Sequence, residues 1–391
     1  MNVVLVLHTT DPFMGATKAV LRTLGLLREK GVKMYIIMPD DKGICEDLKR
    51  QGYSVLVVNH RPCAYPGHRN LKAKLLFFPR LIARMILNKM AVNRMVHYLQ
   101  GKDINLIHTN TSIIKIGYDC SCKLGIPHIY HIREYADLMG YHYFPRQRCF
   151  VRQLSKSYSI CITKDIQRHY GMKASGLSRV IYDGIRPTAF TRPVRNGVGE
   201  YFLFAGRIEP NKGLDILLRA YKEYVSFAHN VIPLYVAGGI GGNQQQYMDM
   251  MKHYIIDNHL QQLVHFMGER DDIDVIMREA RAIIVPSLYE GFGLCMPEAM
   301  FNGCLAIGHN TTGTKEQLDN GKEIHGAEIA LRYDTETELT QHLIDVADKP
   351  IENYESNVER AFDTVNRLYS TEENAEQVYR FYHEIIGKLM H

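Results

Sequence analysis

Short apolar runs alternate with helix-length amphipathic segments along most of the chain, and this alternation predicts the fold. In the first half, apolar runs of strand length lie at 3–7, 33–38, 54–58, 106–108, 128–132, 159–162 and 179–181. Segments with helical spacing of apolar positions lie between several of them, at 17–29, 45–51 and 114–124. Strands separated by helices are typical of right-handed βαβ units, so this half predicts a parallel sheet covered on both faces.

The same alternation restarts after a break between Thr188 and Glu200, where Pro, Gly and Arg occur without a clear period. Strand-length runs follow at 201–205, 233–238, 264–267 and 282–285, and helical segments at 213–227, 245–258, 271–278 and 297–302. A capping-box pattern then opens a last amphipathic helix. We predict an α/β protein with two doubly wound domains, 1–187 and 188–369, a closing helix at 370–391, and a cleft between the carboxyl ends of the two sheets.

Length and composition agree with this organisation. The 391 residues, 46% of them hydrophobic and 23% charged, suffice for two or three domains with substantial cores. The eight cysteines include no CxxC pair, which argues against a disulfide framework. The apolar N-terminus is too short for a secretion signal, and no apolar stretch approaches the roughly 18 residues of a membrane span. We therefore expect a cytoplasmic protein.

The stretch SLYEGFGLCMPEAMFNG, residues 287–303, follows a predicted buried strand and leads through a glycine loop into a helix that has Pro297 in its first turn. Such an arrangement directs free backbone N–H groups at an anion. Glu290 and Glu298 flank the loop and suit a phosphate that carries a hydroxyl-rich group on each side, as in a nucleotide sugar. Two alternatives stay open: Glu298 as a helix cap, and the two acids as a hydrolase pair.

A second candidate, GRIEPNKG at 206–213, directly follows a predicted strand. Arg207 and Lys212 are five residues apart in a glycine-flanked turn, so both can contact one diphosphate. The alternative is a basic loop on the surface. A sugar hydrolase has no need of such a turn, which counts against the hydrolase interpretation.

Together, GRIEPNKG and EGFGLCMPEA resemble the donor-binding half of the retaining glycosyltransferases of family 4, which belong to the glycosyl transferases group 1. Weaker matches occur at Met14-Gly15-Ala16 and at the turn Tyr182-Asp183-Gly184-Ile185. The resemblance implies a GT-B fold, in which two Rossmann-like domains face each other across a cleft. It also implies that domain 1–187 binds the acceptor, that 188–369 binds the donor, and that the closing helix crosses back to the first domain.

Carried over to this chain, the resemblance implies that Arg207 and Lys212 bind the diphosphate and stabilise the charge that builds on it. Glu290 would accept hydrogen bonds from sugar hydroxyls, and Glu298 from the ribose. The sugar or phosphate would also be held by three backbone amides, those of Phe292, Gly293 and Leu294.

The first half departs from the family at two positions. Many members have two glycines in the N-terminal loop, but here Met14 replaces the first, and Gly15 remains to let the backbone approach the leaving phosphate. Members commonly place a histidine where this chain has Arg133, and His131 lies two residues earlier. Because side chains two apart on a strand point the same way, both could face the cleft and share the catalytic role. The alternative is that His131 is a satisfied histidine at the end of a sheet.

The resemblance implies retention without a covalent nucleophile, with the leaving phosphate taking the acceptor's proton on the same face. It also implies chemistry without a bound metal or other cofactor. Asp272 and Asp274 form an Asp-x-Asp pattern, but they lie at a predicted helix start, where solvated acids are common.

Residues 61–102 contain no acidic residue, and their cations are interleaved with aromatic and aliphatic residues. The cations are Arg61, Arg69, Lys72, Lys74, Arg80, Arg84, Lys89, Arg94 and Lys102. This composition predicts peripheral attachment to the anionic, cytoplasmic face of a membrane. The alternatives are an ordinary helix with solvated cations, and nucleic-acid binding, for which we find no recognition motif.

The sequence thus predicts a hexosyl- or N-acetylhexosaminyl-type glycosyltransferase. It would use a nucleotide diphosphate sugar such as a UDP-sugar and a glycan or lipid-linked acceptor, in cell-surface polysaccharide synthesis. The alternatives are a nucleotide-sugar epimerase of similar fold and a non-catalytic binding module.

Overall fold

The computed structural model divides into two compact units, Met1–Gly184 with Thr371–His391, and Ile185–Ser370. We call them unit 1 and unit 2. The structure describes residues 1–66, 76–138, 141–143, 146–172, 177–189, 191–193, 199–241 and 244–388.

The described part of unit 1 contains a seven-stranded parallel sheet and a two-stranded antiparallel pair. Its strands are β1 (Asn2–Val6), β2 (Lys33–Met38), β3 (Ser54–Val57), β4 (Ala64–Pro66), β5 (Leu106–Thr109), β6 (His128–Ile132), β7 (Tyr141–Tyr143), β8 (Tyr158–Cys161) and β9 (Ser178–Val180). Its helices are α1 (Gly15–Glu29), α2 (Cys45–Arg50), α3 (Phe77–Leu99), α4 (Ile116–Leu124), α5 (Gln147–Leu154), α6 (Lys164–His169) and, from the end of the chain, α14 (Thr371–Gly387). The sheet order is β3-β2-β1-β5-β6-β8-β9, and β4 pairs with β7.

Strand β1 lies inside this sheet, between β2 and β5, and is buried on both faces. Because side chains alternate along a strand, Val3 and Leu5 pack on one face while Val4 and Val6 pack on the other. The first face is covered by apolar residues of α1 and α14, and the second by apolar residues of α3 and α4. This double covering explains why β1 reads as a continuous apolar run.

Unit 2 contains a six-stranded parallel sheet within its described residues, in the order β12-β11-β10-β13-β14-β15. The strands are β10 (Phe202–Ala205), β11 (Leu234–Ala237), β12 (Val264–Gly268), β13 (Ala282–Val285), β14 (Leu305–His309) and β15 (Leu331–Tyr333). The helices are α7 (Leu214–Phe227), α8 (Gln245–Asp257), α9 (Ile273–Glu279), α10 (Cys295–Phe301), α11 (Thr312–His325), α12 (Glu336–Asp348) and α13 (Glu355–Leu368). In this sheet β10 and β13 are hydrogen-bonded neighbours.

The predicted fold class, two Rossmann-like parallel α/β halves, is confirmed. The sequence pattern did not predict β14, β15 or the β4–β7 pair, and it did not predict the helices α5, α6, α11, α12 and α13. The predicted helix at 297–302 begins two residues earlier, at Cys295. Parts of three predictions lie outside the described residues: Arg69, Lys72 and Lys74 of the basic stretch, positions 190 and 194–198 of the linker, and Leu389 of the last helix.

No helix in the described part of the chain is both long enough and apolar enough to cross a membrane.

Candidate active site

In unit 2, the two predicted donor segments follow neighbouring strands. Arg207 and Lys212 lie in the turn after β10, and Glu290 lies in the loop after β13. Because β10 and β13 are parallel and adjacent, their carboxyl ends meet at one edge of the sheet, where ligands bind in open α/β sheets. The structure therefore brings together residues that are about 80 positions apart in the sequence.

The turn and the loop also contact each other directly through their backbones. The amide of Leu288 donates to the carbonyl of Asn211 at 2.9 Å. Gly213 adopts a left-handed φ of 70°, and a Cβ built at this position would lie 2.1 Å from the carbonyl oxygen of Pro286. Only glycine fits at this close approach, so GRIEPNKG needs its last glycine for backbone packing.

Lys212 and Glu290 form the central ion pair of this edge, with Nζ 2.6 Å from Oε1. Their side chains are only 19% and 8% exposed. Burial alone lowers the pKa of Lys212, but the attraction of the Glu290 carboxylate outweighs it, and the pKa is raised above its ordinary value. The ammonium therefore stays charged, and it retains N–H donors beyond the one that Glu290 accepts.

Glu290 is held in place by its own loop and by the start of α11. Its Oε1 also accepts from Ser287 Oγ at 2.7 Å, and its amide donates to Thr312 Oγ1 at 2.9 Å. The amide of Gly313 donates to the Glu290 carbonyl at 3.1 Å. Thr312 adopts a left-handed φ of 43°, which is a strained conformation for a β-branched residue. This strain occurs where the hydroxyl contacts the predicted sugar-binding residue.

Gln317 of α11 holds the next part of the loop. Its side-chain amide donates to the carbonyl of Phe292 at 2.5 Å and to that of Gly293 at 3.3 Å. Gly293 has a φ of 83°, which is a left-handed conformation that favours glycine. The loop that carries the three predicted amides is thus fixed by side chains from β14–α11, a region that the sequence pattern did not predict.

Glu298 lies in the first turn of α10, and the residue is 8% exposed. The loop leads into the N-terminus of this helix, where backbone N–H groups lack intrahelical partners. Cys295 opens the helix, and burial, together with the Glu290 carboxylate, raises the pKa of its thiol to about 12. A neutral thiol therefore lies near the acids of the site.

Arg207 is the most exposed of the charged candidates in unit 2. Its side chain is 44% exposed and lies 2.9 Å from Glu209, whose side chain is 12% exposed. Glu209 therefore orients the guanidinium, most of whose donors remain available at the surface.

In unit 1, Arg133 follows β6 and forms a buried ion pair with Asp183. The guanidinium contacts both carboxylate oxygens, at 2.5 and 2.6 Å, and the side chains are 7% and 5% exposed. Its Nε also donates to Asn110 Oδ1 at 3.1 Å. The expected cation thus lies at the carboxyl end of the sheet, but its charge is paired within unit 1.

His131 lies in a buried chain of polar side chains. Its Nδ1 is 3.3 Å from Arg133 and 3.3 Å from His108 Nε2, while His108 Nδ1 is 2.5 Å from the hydroxyl of Tyr382 in α14. Burial, followed by the positive charge of Arg133, lowers the pKa of His131 well below its ordinary value and that of His108 to about 3. Both rings are therefore neutral near pH 7. Its Nε2 is buried and has no hydrogen-bond partner, so the ring is only partly satisfied, and both the sheet-end alternative and the predicted catalytic role stay open.

Gly15 is the first residue of α1, and it is exposed. The 15-residue helix has no acidic side chain in its first turn and no side-chain cap at Met14, and the amide of Thr17 donates to the Met14 carbonyl at 2.9 Å. The role of Gly15 at the leaving phosphate stays a prediction.

Asp272 and Asp274 are engaged in ion pairs with arginines. Asp272 pairs with Arg270 at 2.6 Å, and Asp274 pairs with Arg186. Among the residues that the structure describes, no group of three or more His, Cys, Asp or Glu side chains is arranged to hold a metal ion.

The two parallel-sheet α/β units define a GT-B fold, and comparison with solved structures agrees on the fold. HepE of Anabaena, solved in complex with UDP-glucose, superposes with a TM-score of 0.73 at 17% identity, over all of this chain and 99% of HepE. A glycosyltransferase from Rickettsia africae gives 0.74 at 14% identity, over 98% of both chains.

Residues 186–362, somewhat less than half of the chain, match the family model of glycosyl transferases group 1. An uncharacterized glycosyltransferase of Methanocaldococcus jannaschii is 24% identical over 56% of this chain and 66% of its own length. A lipopolysaccharide core biosynthesis mannosyltransferase of Rhizobium leguminosarum is 29% identical over 36% of this chain and 38% of its own length. The chain thus matches less than two thirds of either relative. These matches support the group 1 family, and the family-model match covers every donor candidate in unit 2.

Sequence reasoning missed several residues that shape the site. Ser287 lies inside the quoted stretch, and its distance of three residues from Glu290 was an available signal. Glu209 lies within GRIEPNKG. Thr312 and Gln317 had no local signal, because they contact the loop only through the adjacency of β13 and β14. Asp183 was noted as part of a turn, but its pairing with Arg133 spans 50 residues.

Proposed function

We propose that the protein is a retaining glycosyltransferase that moves a sugar from a nucleotide diphosphate sugar to a glycan or lipid-linked acceptor. The observation that carries the proposal is the Lys212–Glu290 ion pair beside Arg207 at the adjoining ends of β10 and β13. Cations suit a diphosphate, and a buried carboxylate suits sugar hydroxyls. One edge of the sheet would therefore bind both the diphosphate and the sugar of the donor.

The donor edge would act mainly on the leaving group. As the glycosidic bond breaks, negative charge builds on the diphosphate, and Lys212 and Arg207 donate to its oxygens. Lys212 reaches the phosphate with the N–H groups that Glu290 leaves free. Glu290 accepts from sugar hydroxyls, Glu298 accepts from the ribose, and the amides of Phe292, Gly293 and Leu294 contact the sugar or phosphate.

The same cations would allow the reaction to proceed without a bound metal or other cofactor. The leaving phosphate would take the acceptor's proton, which gives retention without a covalent nucleophile. Excess EDTA should leave turnover unchanged, and NMR of the first product should show the anomeric configuration of the donor. A loss of activity in EDTA that is restored by a divalent cation, or an inverted product, would overturn these two points.

We assign acceptor binding to residues 1–187 and donor binding to residues 188–369, with the helix of 370–391 completing the first domain. Gly15, His131 and Arg133 would act from the acceptor side, Gly15 by letting the backbone approach the leaving phosphate. His131 or Arg133 would take the role that the family gives to a histidine.

UDP-sugars are the first donors to test, because HepE was solved with UDP-glucose. Relatives named for lipopolysaccharide core and O-antigen mannosyl transfer support a hexose and a role in cell-surface polysaccharide synthesis. Because a TarM structure contains UDP and α-GlcNAc-glycerol, N-acetylhexosamine donors should be tested as well.

A thermal-shift screen of nucleotide sugars should find one that raises Tm, and incubation of that donor with candidate acceptors should yield free nucleotide diphosphate. An epimer that forms without free nucleotide would establish the epimerase alternative instead. Donor binding without turnover on any acceptor extract would establish a binding module. None of the relatives given above is named as an epimerase.

A further inference from the structure

The outer face of α3 carries a row of exposed apolar side chains that the donor chemistry does not use. Phe78, Ile82, Met85, Ile86 and Met90 are between 56% and 65% exposed. Their spacing of three or four residues places them on one side of the helix. The opposite side buries Leu81, Ala91, Val92, Met95 and Leu99 against unit 1. Helix α3 is therefore apolar on two faces, of which the core uses only one. We call the exposed row the outer stripe.

The charges of α3 itself all have one sign. Helix α3 contains Arg80, Arg84, Lys89 and Arg94 and no acidic residue, and residues 61–102 contain none either. Lys89 lies within the stripe in projection, and Arg94 is exposed beside Met90, one turn further along the helix. A surface that combines an apolar row with cations alone is complementary to an apolar surface that carries anions.

A second copy of the chain fits this surface poorly. In a symmetric dimer the same patch meets itself, so the outer stripe would bring the cations of one α3 close to those of the other. Like charges at that distance oppose association. An anionic lipid bilayer provides both an apolar interior and negative headgroups, so it matches the surface in both respects.

We propose that unit 1 binds anionic membranes through the outer stripe of α3. The helix lies in the plane of the interface, with its apolar row in the acyl boundary and its arginines and lysine among the headgroups. No described helix could cross the bilayer, so attachment is peripheral and reversible. This proposal does not rest on the transferase assignment, although a lipid-linked acceptor would be presented at the same surface.

The test is co-flotation of the full chain with vesicles of phosphatidylcholine alone or with 30% phosphatidylglycerol. We expect binding to the anionic vesicles only, and a loss of most binding as salt shortens the range of electrostatic attraction. Ile82→Glu with Ile86→Glu should lower the partition coefficient at least ten-fold. Both side chains are already in water, so the fold should survive, and an unchanged Tm checks this.

The matched control is Met250→Glu with Ile256→Glu on α8. These side chains are 57% and 53% exposed but lie on a helix that contains Asp249 and Asp257. The control pair should bind like the unaltered protein. Equal loss in both pairs, equal binding to neutral vesicles, or no binding to any vesicle would overturn the proposal. The proposal would also be overturned if sedimentation showed a dimer of the unaltered protein and a monomer of the Ile82→Glu, Ile86→Glu variant. The outer stripe would then be a protein interface.

Discussion

The strand ends of unit 2 and unit 1 both collect charged side chains, but the two sets differ in what remains available to a ligand. In unit 2, Arg207 is 44% exposed, and Lys212 keeps N–H donors beyond its contact with Glu290. In unit 1, the Arg133 side chain is 7% exposed, and its guanidinium donates hydrogen bonds to Asp183 and Asn110. An arginine at the end of a strand is therefore not enough to indicate ligand binding. Whether such a cation is available to a ligand depends on the residue with which it is paired.

The largest expected effect tests the donor side. Lys212→Met should reduce transfer by roughly 10²–10³-fold, because a preorganised donor to the developing charge is lost. Binding of nucleotide diphosphate, measured by calorimetry, should weaken far more than binding of monophosphate. Equal losses for the two ligands would refute the diphosphate contact.

Two variants complete that experiment. Lys252→Met removes an exposed lysine of the same unit and should leave activity unchanged. Lys212→Met with Glu290→Gln removes both charges of the pair. It should recover the stability that Lys212→Met loses by leaving a buried carboxylate unpaired, while activity stays low. Recovery of activity would show that the pair is only structural.

Breaking the buried pair of unit 1 should act first on stability. Asp183→Asn leaves Arg133 buried without its counter-charge, which typically costs about 3–5 kcal/mol of unfolding free energy. Arg133→Met with Asp183→Leu removes both charges and should recover most of the loss in denaturant unfolding. If this double variant also transfers sugar normally, Arg133 has no catalytic role, whereas a stable but inactive variant would support one.

The buried histidines of unit 1 should make its stability depend on pH. Burial lowers the pKa of His108 to about 3 and, with Arg133, that of His8 to about 4, so the unfolded chain takes up protons first. Their stabilisation is complete above the unfolded pKa of about 6.5, and each loses about 1.4 kcal/mol per pH unit as the pH falls from there towards its folded value. Urea unfolding at pH 7, 6 and 5 measures the slope, and a flat profile would contradict the buried neutral rings.

The smallest effect concerns the support of the donor loop. Gln317→Leu removes the amide that bonds the Phe292 and Gly293 carbonyls, which should cost about 1–3 kcal/mol. We expect the KM for the donor to rise about ten-fold, with a smaller change in kcat. Gln341→Leu, on the exposed side of α12, is the same substitution away from the loop and should change neither constant. A fall in Tm with an unchanged KM would limit Gln317 to folding.

The sequence could predict most of the fold, because apolar runs of strand length and helical spacing are local signals. It could also predict the donor candidates, since Arg207 with Lys212 and Glu290 with Glu298 each lie within one short segment. It could not predict the contacts that fix them. Thr312 and Gln317 contact the loop because β13 pairs with β14. Neither of the two donor segments contains a local signal for that pairing.

The same limit applies to the first half. The position of Arg133 at a strand end was predictable, but its pairing with Asp183 depends on how two distant segments fold together. In α3 the pattern was read correctly as basic and apolar, yet only the structure separates the apolar residues that pack inward from those of the outer stripe.

The contact of Gly213 with Pro286, and of Leu288 with Asn211, has a consequence for how the proposed donor preference could change. The turn after β10 and the loop after β13 fit each other with no room for a side chain, so an insertion in one would displace the other. Variation of donor preference is therefore constrained to paired changes. A chimera made to alter specificity should exchange 206–213 and 286–294 as one cassette.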